Sequence, residues 1–179
     1  MTPAEMRQCV VDIVGWFEAK AQTDTVGASE DEIKAFSRRH DITLPLALEE
    51  LYLKTQGGLL WFEEKKMTSL QEAAKLRDEI KDNNKKKEND NNNNNNGDDK
   101  ENNKYYPFAN DDEEDLLVVD CDTEAVFEYD LYSGLGTKLS ESFTDFIETY
   151  RNLLLADHFD YFDDIGLVEK VGIQPNYGK

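Results

Sequence analysis

The residues that could do chemistry in this chain are few and scattered. The two histidines, His40 and His158, are far apart, and neither belongs to an H-x-x-x-H or C-x-x-C spacing. An enzyme needs a nucleophile with its base, a paired acid and base, or converging metal ligands. His40 falls on the inward stripe of a predicted helix, and His158 lies among acids and aromatics, so we expect both to have structural or surface roles.

The acidic stretch with Asp120, Asp122 and Glu124 is the candidate for a metal site. These carboxylates alternate along the chain and could present oxygen atoms to calcium. The stretch lacks the glycine and the twelve-residue spacing of an EF-hand. We therefore favour a solvated turn between two strands and expect no cofactor. A metal-dependent hydrolase that uses this turn is the less favoured alternative.

The glycines and cysteines also carry no catalytic pattern. The glycines follow no phosphate-cradling motif and are expected in turns: Gly57, Gly58, Gly134 and Gly136. Cys9 and Cys121 are expected to be reduced, partly buried thiols, because no secretory signal precedes them.

The charge of the chain restricts its partners. Acidic residues outnumber basic residues by 39 to 20, which gives a formal net charge of −19. This charge opposes binding to nucleic acid or to an anionic membrane surface, because both need clustered Lys and Arg. No apolar run is long enough to span a bilayer. We expect a cytoplasmic protein whose partner is another protein with a basic surface.

Several acidic residues and one tryptophan are candidates for contact with that partner. The acids fall in two strips that turns would present to solvent, one at 111–114 and one in the C-terminal tail, where Asp163 and Asp164 extend it. Trp61 is either a core residue, which is the favoured alternative, or an exposed interface anchor. The candidate partner-binding residues are Asp111, Asp112, Glu113, Glu114, Trp61, Asp157 and Asp160.

Three capping boxes predict where helices begin. In each box a Ser or Thr is followed three residues later by Glu, and the two side chains satisfy backbone donors of the first helical turn: Thr2 with Glu5, Ser29 with Glu32, and Ser69 with Glu72. Helical spacing of apolar residues predicts that the first helix runs to about Lys20 and the third capped helix to about Ile80. Leu44-Pro45 separates the second helix from a short one that ends at Gly57-Gly58.

The strands are predicted from short apolar runs at 59–62, 105–109, 116–119 and 125–130. Pro107 places its strand at an edge or end of the sheet. The last two strands are joined by a short polar turn and should form an antiparallel hairpin. Residues 63–66 are predicted as a turn and 133–136 as a loop. A helix should follow from Ser142, and the tail is expected to hold one short helix.

Residues 82–104 differ in composition from the rest of the chain. Of these 23 residues 11 are Asn, and none is aromatic or aliphatic. Such a segment has no apolar surface to offset the entropy lost on ordering. We predict a disordered Asn-rich insert that interrupts one domain.

The order of these motifs resembles the SMI1/KNR4 (SUKH) family. The resemblance covers about residues 29–150 and rests on the following pieces: Glu32-Ile33 with Phe36, Leu44-Pro45, Leu51-Tyr52 through Gly57-Gly58, Tyr106-Pro107-Phe108-Ala109, residues 115–120, residues 126–130, and Ser142-Phe143 with Phe146-Ile147. It implies an α+β domain, with a central, mostly antiparallel sheet packed with helices. The expected layout is an N-terminal helix and connection (1–28), the domain (29–155) and a tail packed on it (156–179).

The resemblance also implies a function. Members of the family bind other proteins as scaffolds, adaptor subunits or immunity proteins, so we expect a non-enzymatic interaction module. An adaptor or scaffold subunit is the favoured role, and an immunity protein that neutralises a toxin is the alternative. The run Tyr52-Leu53-x-Thr55-x-Gly57 with Trp61 is similar to the small subunit of a tubulin polyglutamylase. Since acidic tubulin tails would repel this chain, such a role would mean holding another subunit.

Overall fold

The helices and strands lie in the order α, α, α, β, β, α, β, β, β, β, α, β, β. The computed structural model describes residues 1–21, 25–58, 60–62, 65–90, 104–111, 114–162 and 165–170, with the backbone alone at 60–62 and 84–90. Five helices and eight strands lie within these residues. They are α1 (Pro3–Ala21), α2 (Glu30–His40), α3 (Leu46–Tyr52), β1 (Leu60–Phe62), β2 (Lys65–Met67), α4 (Leu70–Asp90), β3 (Tyr105–Asn110), β4 (Asp115–Asp120), β5 (Val126–Asp130), β6 (Gly134–Ser140), α5 (Phe143–Leu155), β7 (Phe159–Phe162) and β8 (Gly166–Glu169).

All three predicted capping boxes form. At the start of α2 the Glu32 backbone N–H donates to Ser29 Oγ at 3.2 Å, and the Ser29 N–H donates to Glu32 Oε2 at 2.8 Å. The boxes at Thr2 and Ser69 have the same pair of bonds. The helix starts were therefore predictable, because these short-range bonds depend on residues only three positions apart.

Replacing Ser29 with alanine should destabilise the protein by about 1 kcal/mol, because the first turn of α2 loses the acceptor for the Glu32 N–H. The measurement is the free energy of unfolding in urea. Ser133 serves as a control because its hydroxyl lies in an exposed turn and caps no helix. An equal loss in both variants would contradict a specific contribution from the cap.

The sheet is a six-stranded antiparallel meander in the order β1-β2-β3-β4-β5-β6. The predicted hairpin of β4 and β5 is confirmed, with Leu117 opposite Glu128 and Val118 opposite Phe127. The fold is α+β, as expected. All neighbours in this sheet follow one another in sequence, so each strand pairs with the strand that comes next in the chain.

Both faces of the sheet are covered at β4. Leu117 and Val119 belong to a large core cluster, whereas Leu116 and Val118 belong to a smaller one. The large cluster includes residues from α1, α2, α3 and α5, and the smaller one contains Ile80 of α4. Because successive side chains of a strand point to opposite faces, β4 is buried between the two layers.

Helix α4 is longer than predicted. It runs to Asp90 instead of ending at about Ile80, so residues 82–90 of the predicted disordered insert are helical. Two features favour the extension. Ile80 is buried, and Asn83 Nδ2 donates to the Leu131 carbonyl at 3.1 Å. The Lys and Glu residues that follow are good helix formers. Residues 91–103 lie outside the described residues.

Two predicted loops form strands instead. Lys65 and Lys66, predicted as part of a turn, belong to β2, where Lys66 lies opposite Asn110. Residues 134–136, predicted as a loop, begin β6. At Gly136 an added Cβ would come within 3.3 Å of the Glu128 Cβ atom, so the close approach of β5 and β6 favours glycine there. Gly134 and Gly136 were predicted to be turn residues, whereas both belong to β6.

The predictions for Pro107 and for the tail are also wrong in part. β3 lies between β2 and β4 and is not an edge strand. β2 pairs only with Ala109 and Asn110, and the β3–β4 register shifts between Pro107 and Ala109. Pro107 is not among the described β2–β3 pairs, so its missing N–H removes no hydrogen bond from that ladder.

The C-terminal tail forms the β7–β8 hairpin where a short helix was predicted. Its Tyr161 ring contacts Phe17 of α1 edge to face, with centroids 5.9 Å apart, and Leu167 is buried. Phe159 and Tyr161 pack on the large cluster with the two-residue period of a strand. The hairpin thus partly buries these aromatics, and Tyr161 lies against α1.

Candidate interaction surface

The predicted acidic turn at 111–114 joins β3 to β4. The Asp111 backbone N–H donates to the Asp115 carbonyl, and the Asp115 N–H donates to Asp111 Oδ1, both at 3.2 Å. Glu114 is exposed. Asp112 and Glu113 lie outside the described residues. Asp111 thus organises the turn while Glu114 faces solvent.

The fold brings a second turn to the same end of the sheet. The β5–β6 turn lies beside the β3–β4 turn, since the Leu131 N–H donates to the Glu114 carbonyl at 3.0 Å. Asp115 and Asp130 are directly opposite each other on β4 and β5. We call this surface the acidic end and define it by Asp111, Glu114, Asp115, Asp130 and Tyr132. The sequence separation between the two turns hid this arrangement.

Tyr132 is the aromatic residue of the acidic end. Its side chain is 68% exposed, and its hydrogen bond to Glu114, together with the charge of Glu114, raises its pKa. An exposed tyrosine that holds a carboxylate can supply both apolar contact and a polar hydroxyl to a partner. Tyr132 was not among the predicted partner-binding residues.

The carboxylates of the acidic end differ in what they bind. Asp130 Oδ1 accepts hydrogen bonds from the Tyr132 N–H at 3.1 Å, from the Ser133 N–H and from the Ser133 hydroxyl at 2.7 Å. Asp115 lies opposite Asp130 and is exposed. Like charges directly opposite each other on neighbouring strands repel. The turn N–H groups hold the Asp130 carboxylate in place. A cationic partner would reduce the repulsion between Asp115 and Asp130.

Strand β6 forms the edge of the sheet next to the acidic end. Residues 135–139 are exposed, including Leu135 at 45% and Leu139 at 42%. Gly134, the first residue of β6, lies opposite Asp130. The edge therefore begins within the acidic end. It was missed because the two leucines stand among glycines and polar residues, a composition typical of loops.

The second predicted acidic strip is partly neutralised. Lys170 Nζ lies 2.7 Å from Asp157 Oδ1 and 3.2 Å from Asp160 Oδ1. The hydrogen bond from Lys170 lowers the pKa of Asp157. Asp157 and Asp160 thus fasten the end of the β7–β8 hairpin. Asp163 and Asp164 lie outside the described residues, and so does the side chain of Trp61, although its backbone is in β1.

The alternating acids at 120–124 form a closed turn. Asp120 is only 4% exposed; its Oδ1 accepts from the backbone N–H groups of Asp122 at 2.9 Å and Thr123 at 3.2 Å. Its Oδ2 lies 3.1 Å from Lys104 Nζ. The calcium-binding alternative needs the Asp120 oxygens for the ion, whereas here they bind two turn N–H groups and Lys104. Within the described ranges, no group of three or more His, Cys, Asp or Glu side chains is placed to hold a metal ion.

Burial shifts the pKa values of His40 and of both cysteines. His40 packs on Phe36 with ring centroids 4.5 Å apart, and burial, followed by the charge of Arg77, lowers its pKa. Burial raises the pKa of Cys9 to about 11 and that of Cys121 to about 12. Both cysteines are free thiols. A thiol of such high pKa is protonated near neutral pH and is a poor nucleophile.

A cavity of about 570 Å³ lies between the end of α2 and the β4–β5 turn. Two bases and two acids are among its lining residues, Arg38 and Lys104 with Asp41 and Asp122. Mixed charges of this kind favour no single charged ligand. The acidic end and the adjoining β6 edge are therefore the more distinctive surface.

Comparison with known proteins agrees with the fold. The model of the SMI1 / KNR4 family (SUKH-1) matches residues 27–149, which is more than half of the chain. The matched residues include the whole β1–β6 sheet and helices α2, α3 and α4. Domains of this α+β class are generally non-catalytic. The chain belongs to the SMI1/KNR4 (SUKH-1) family, which includes immunity proteins. No curated protein matches the chain. None of the helices in the described residues is long and apolar enough to cross a membrane.

Proposed function

We propose that the chain is a non-enzymatic protein-binding subunit, an adaptor or scaffold, that binds a basic surface of its partner at the acidic end. The observation that carries this proposal is the meeting of two turns at one end of the sheet, where exposed Glu114 and Asp115 lie beside Asp130 and the exposed Tyr132. Aromatic residues are enriched at protein interfaces, and a negative patch is complementary to a basic partner.

The charge of the whole chain supports the same proposal. A net charge of −19 creates a negative field that accelerates encounter with a basic protein. The field is screened beyond about 8 Å at physiological salt, so carboxylates at the contact itself matter most. A basic toxin would satisfy the same surface, so an immunity role is the second candidate, supported by the family. The identity of the bound protein separates the two roles.

The test begins with the intact chain as bait in an affinity purification with mass spectrometry, to recover a partner. The triple variant Asp111→Asn, Glu114→Gln, Asp115→Asn is then compared with wild type in a kinetic binding assay at several salt concentrations. We expect association to slow several-fold and its salt dependence to flatten, because the local attraction is lost. Dissociation should change less.

A matched control removes the same number of charges elsewhere. Asp31, Glu148 and Glu169 are exposed and lie on α2, α5 and β8. If neutralising these three slowed association as much as the triple variant, only the overall charge would matter and the acidic end would not be the binding surface. If no protein partner were recovered and turnover were found instead, the proposed function itself would be wrong.

A further inference from the structure

The β6 edge has the geometry of a site for an additional strand. β6 pairs with β5 on one side, and no other strand in the described part of the chain lies along its opposite side. Its seven residues would span about 23 Å at the usual rise of a strand. The outer N–H and C=O groups of an edge strand can form a ladder with an extended segment of another chain.

The side chains of the edge fit an extended segment that is both apolar and basic. Leu135 and Leu139 offer exposed apolar surface, and Gly136 between them has no side chain to hinder approach. At the β5–β6 turn the carboxylate of Asp130 lies opposite Gly134, the first residue of β6. The single cation of the strand, Lys138, is paired with Glu141 at 2.9 Å, which offsets its charge.

We propose that the β6 edge binds an extended basic segment of the partner protein, which joins the sheet as a further strand. This inference rests on the proposed function and specifies how the partner is held. The acidic end then contacts basic residues where the segment passes the β5–β6 turn, and the leucines contact its apolar residues. Main-chain hydrogen bonds would supply affinity, and the charges would supply orientation.

The occupant is a basic segment and not a second copy of this chain. Two copies would each bring a net charge of −19 to the contact, and the repulsion would oppose pairing. The β5–β6 register shifts twice, between Val126 and Phe127 and between Phe127 and Tyr129. Either occupant would therefore meet the same irregular edge, so the charge decides between them.

The test uses the full chain with a defined probe, an acetylated and amidated nonapeptide of alternating lysine and valine. A second peptide with the same sequence carries N-methyl groups on alternate backbone amides, which keeps its charge and removes its ladder hydrogen bonds. We expect the first peptide to bind and to slow amide hydrogen exchange in residues 134–140, and the N-methylated peptide to bind at least tenfold more weakly. Equal binding of both peptides, or protection that leaves β6 unchanged, would refute strand addition.

Two matched double variants locate the contact. In Leu135→Lys with Leu139→Lys the edge gains charge and loses apolar surface, and we expect the affinity for the first peptide to fall about tenfold or more. In Leu46→Lys with Leu155→Lys the same change is made at leucines that are 43% and 52% exposed on α3 and α5. This control should keep its affinity within about twofold, since it differs from the edge variant only in position. Equal weakening in both would leave only a charge effect and would overturn the inference.

Two further outcomes separate this inference from the proposed function. If the partner from the affinity purification bound in an acid-dependent way and the Leu135/Leu139 variant bound it normally, the proposed function would stand and the β6 inference would be wrong. If sedimentation of the chain alone showed a dimer that this variant abolished, the occupant of the edge would be a second copy, which also overturns the inference.

Discussion

Replacing Gly27 with alanine is expected to destabilise the protein by about 3 kcal/mol or more. A Cβ at this position would lie 2.0 Å from the Leu53 carbonyl oxygen and 2.3 Å from its carbon, both backbone atoms. Hydrogen bonds hold the two segments together on both sides of Gly27: Ala28 N–H to the Tyr52 carbonyl at 2.7 Å, and Gln56 N–H to the Val26 carbonyl at 2.9 Å. The clash can be relieved only by moving one backbone segment, which breaks these bonds.

Gly15→Ala is the matched control and should have the opposite sign. Gly15 lies in the middle of α1, where an added Cβ meets no atom within 4 Å. Alanine has a higher helix propensity, so this change should stabilise the protein by about 0.5 to 1 kcal/mol. Urea unfolding of both variants measures the difference. A Gly27→Ala protein as stable as wild type would show that residues 26–28 do not run against the end of α3 as described.

The second large effect is expected at Asp120. Its replacement by alanine should cost about 2 to 3 kcal/mol, because two turn N–H groups lose their acceptor and Lys104 loses its carboxylate. Asp120→Asn keeps an oxygen for the two N–H groups and removes only the charge. We expect this variant to lose about 1 kcal/mol, so comparison of the two separates the turn bonds from the ion pair.

Asp122→Asn is the control for this turn. Asp122 is exposed, so the free energy of unfolding of this variant should stay within about 0.5 kcal/mol of the wild-type value. The measurement is again the free energy of unfolding, repeated with added calcium. A melting temperature that rose with calcium in wild type and did not rise in Asp120→Asn would restore the metal-binding alternative, because a bound ion stabilises the folded state.

The sequence predicted well those elements that depend on neighbours in the chain. Capping boxes such as Ser29 with Glu32 join residues three positions apart, and the β4–β5 hairpin follows from two apolar runs with one turn between them. The sequence failed where tertiary contacts decide. β6 has the composition of a loop and is a strand because β5 offers it a ladder, and α4 continues past Ile80 because Asn83 binds the Leu131 carbonyl.

The candidate surface was only partly predictable for the same reason. The turn at 111–114 stood out as a run of acids, and the structure places Asp111 and Glu114 in it. Asp130 and Tyr132 are distant from this turn in sequence, and only the pairing of β4 with β5 places them beside it. Asp157 and Asp160 were predicted from charge alone, which did not reveal their ion pairs with Lys170. A run of charges shows where acids are in the chain, and only the fold shows which of them remain available.

The meander order of the sheet bears on how the chain folds. From β3 to β6 every ladder closes over a short turn, so these four strands can pair early through local contacts, which are the fastest to form. The β2–β3 ladder is different, because α4 and the residues up to 104 lie between its two strands and its described register has only two pairs. The β1–β2 hairpin therefore pairs through a short ladder with the strand that is most distant from it in sequence. A longer connection between α4 and β3 should slow the docking of this hairpin and leave the folding of β3 to β6 unaffected.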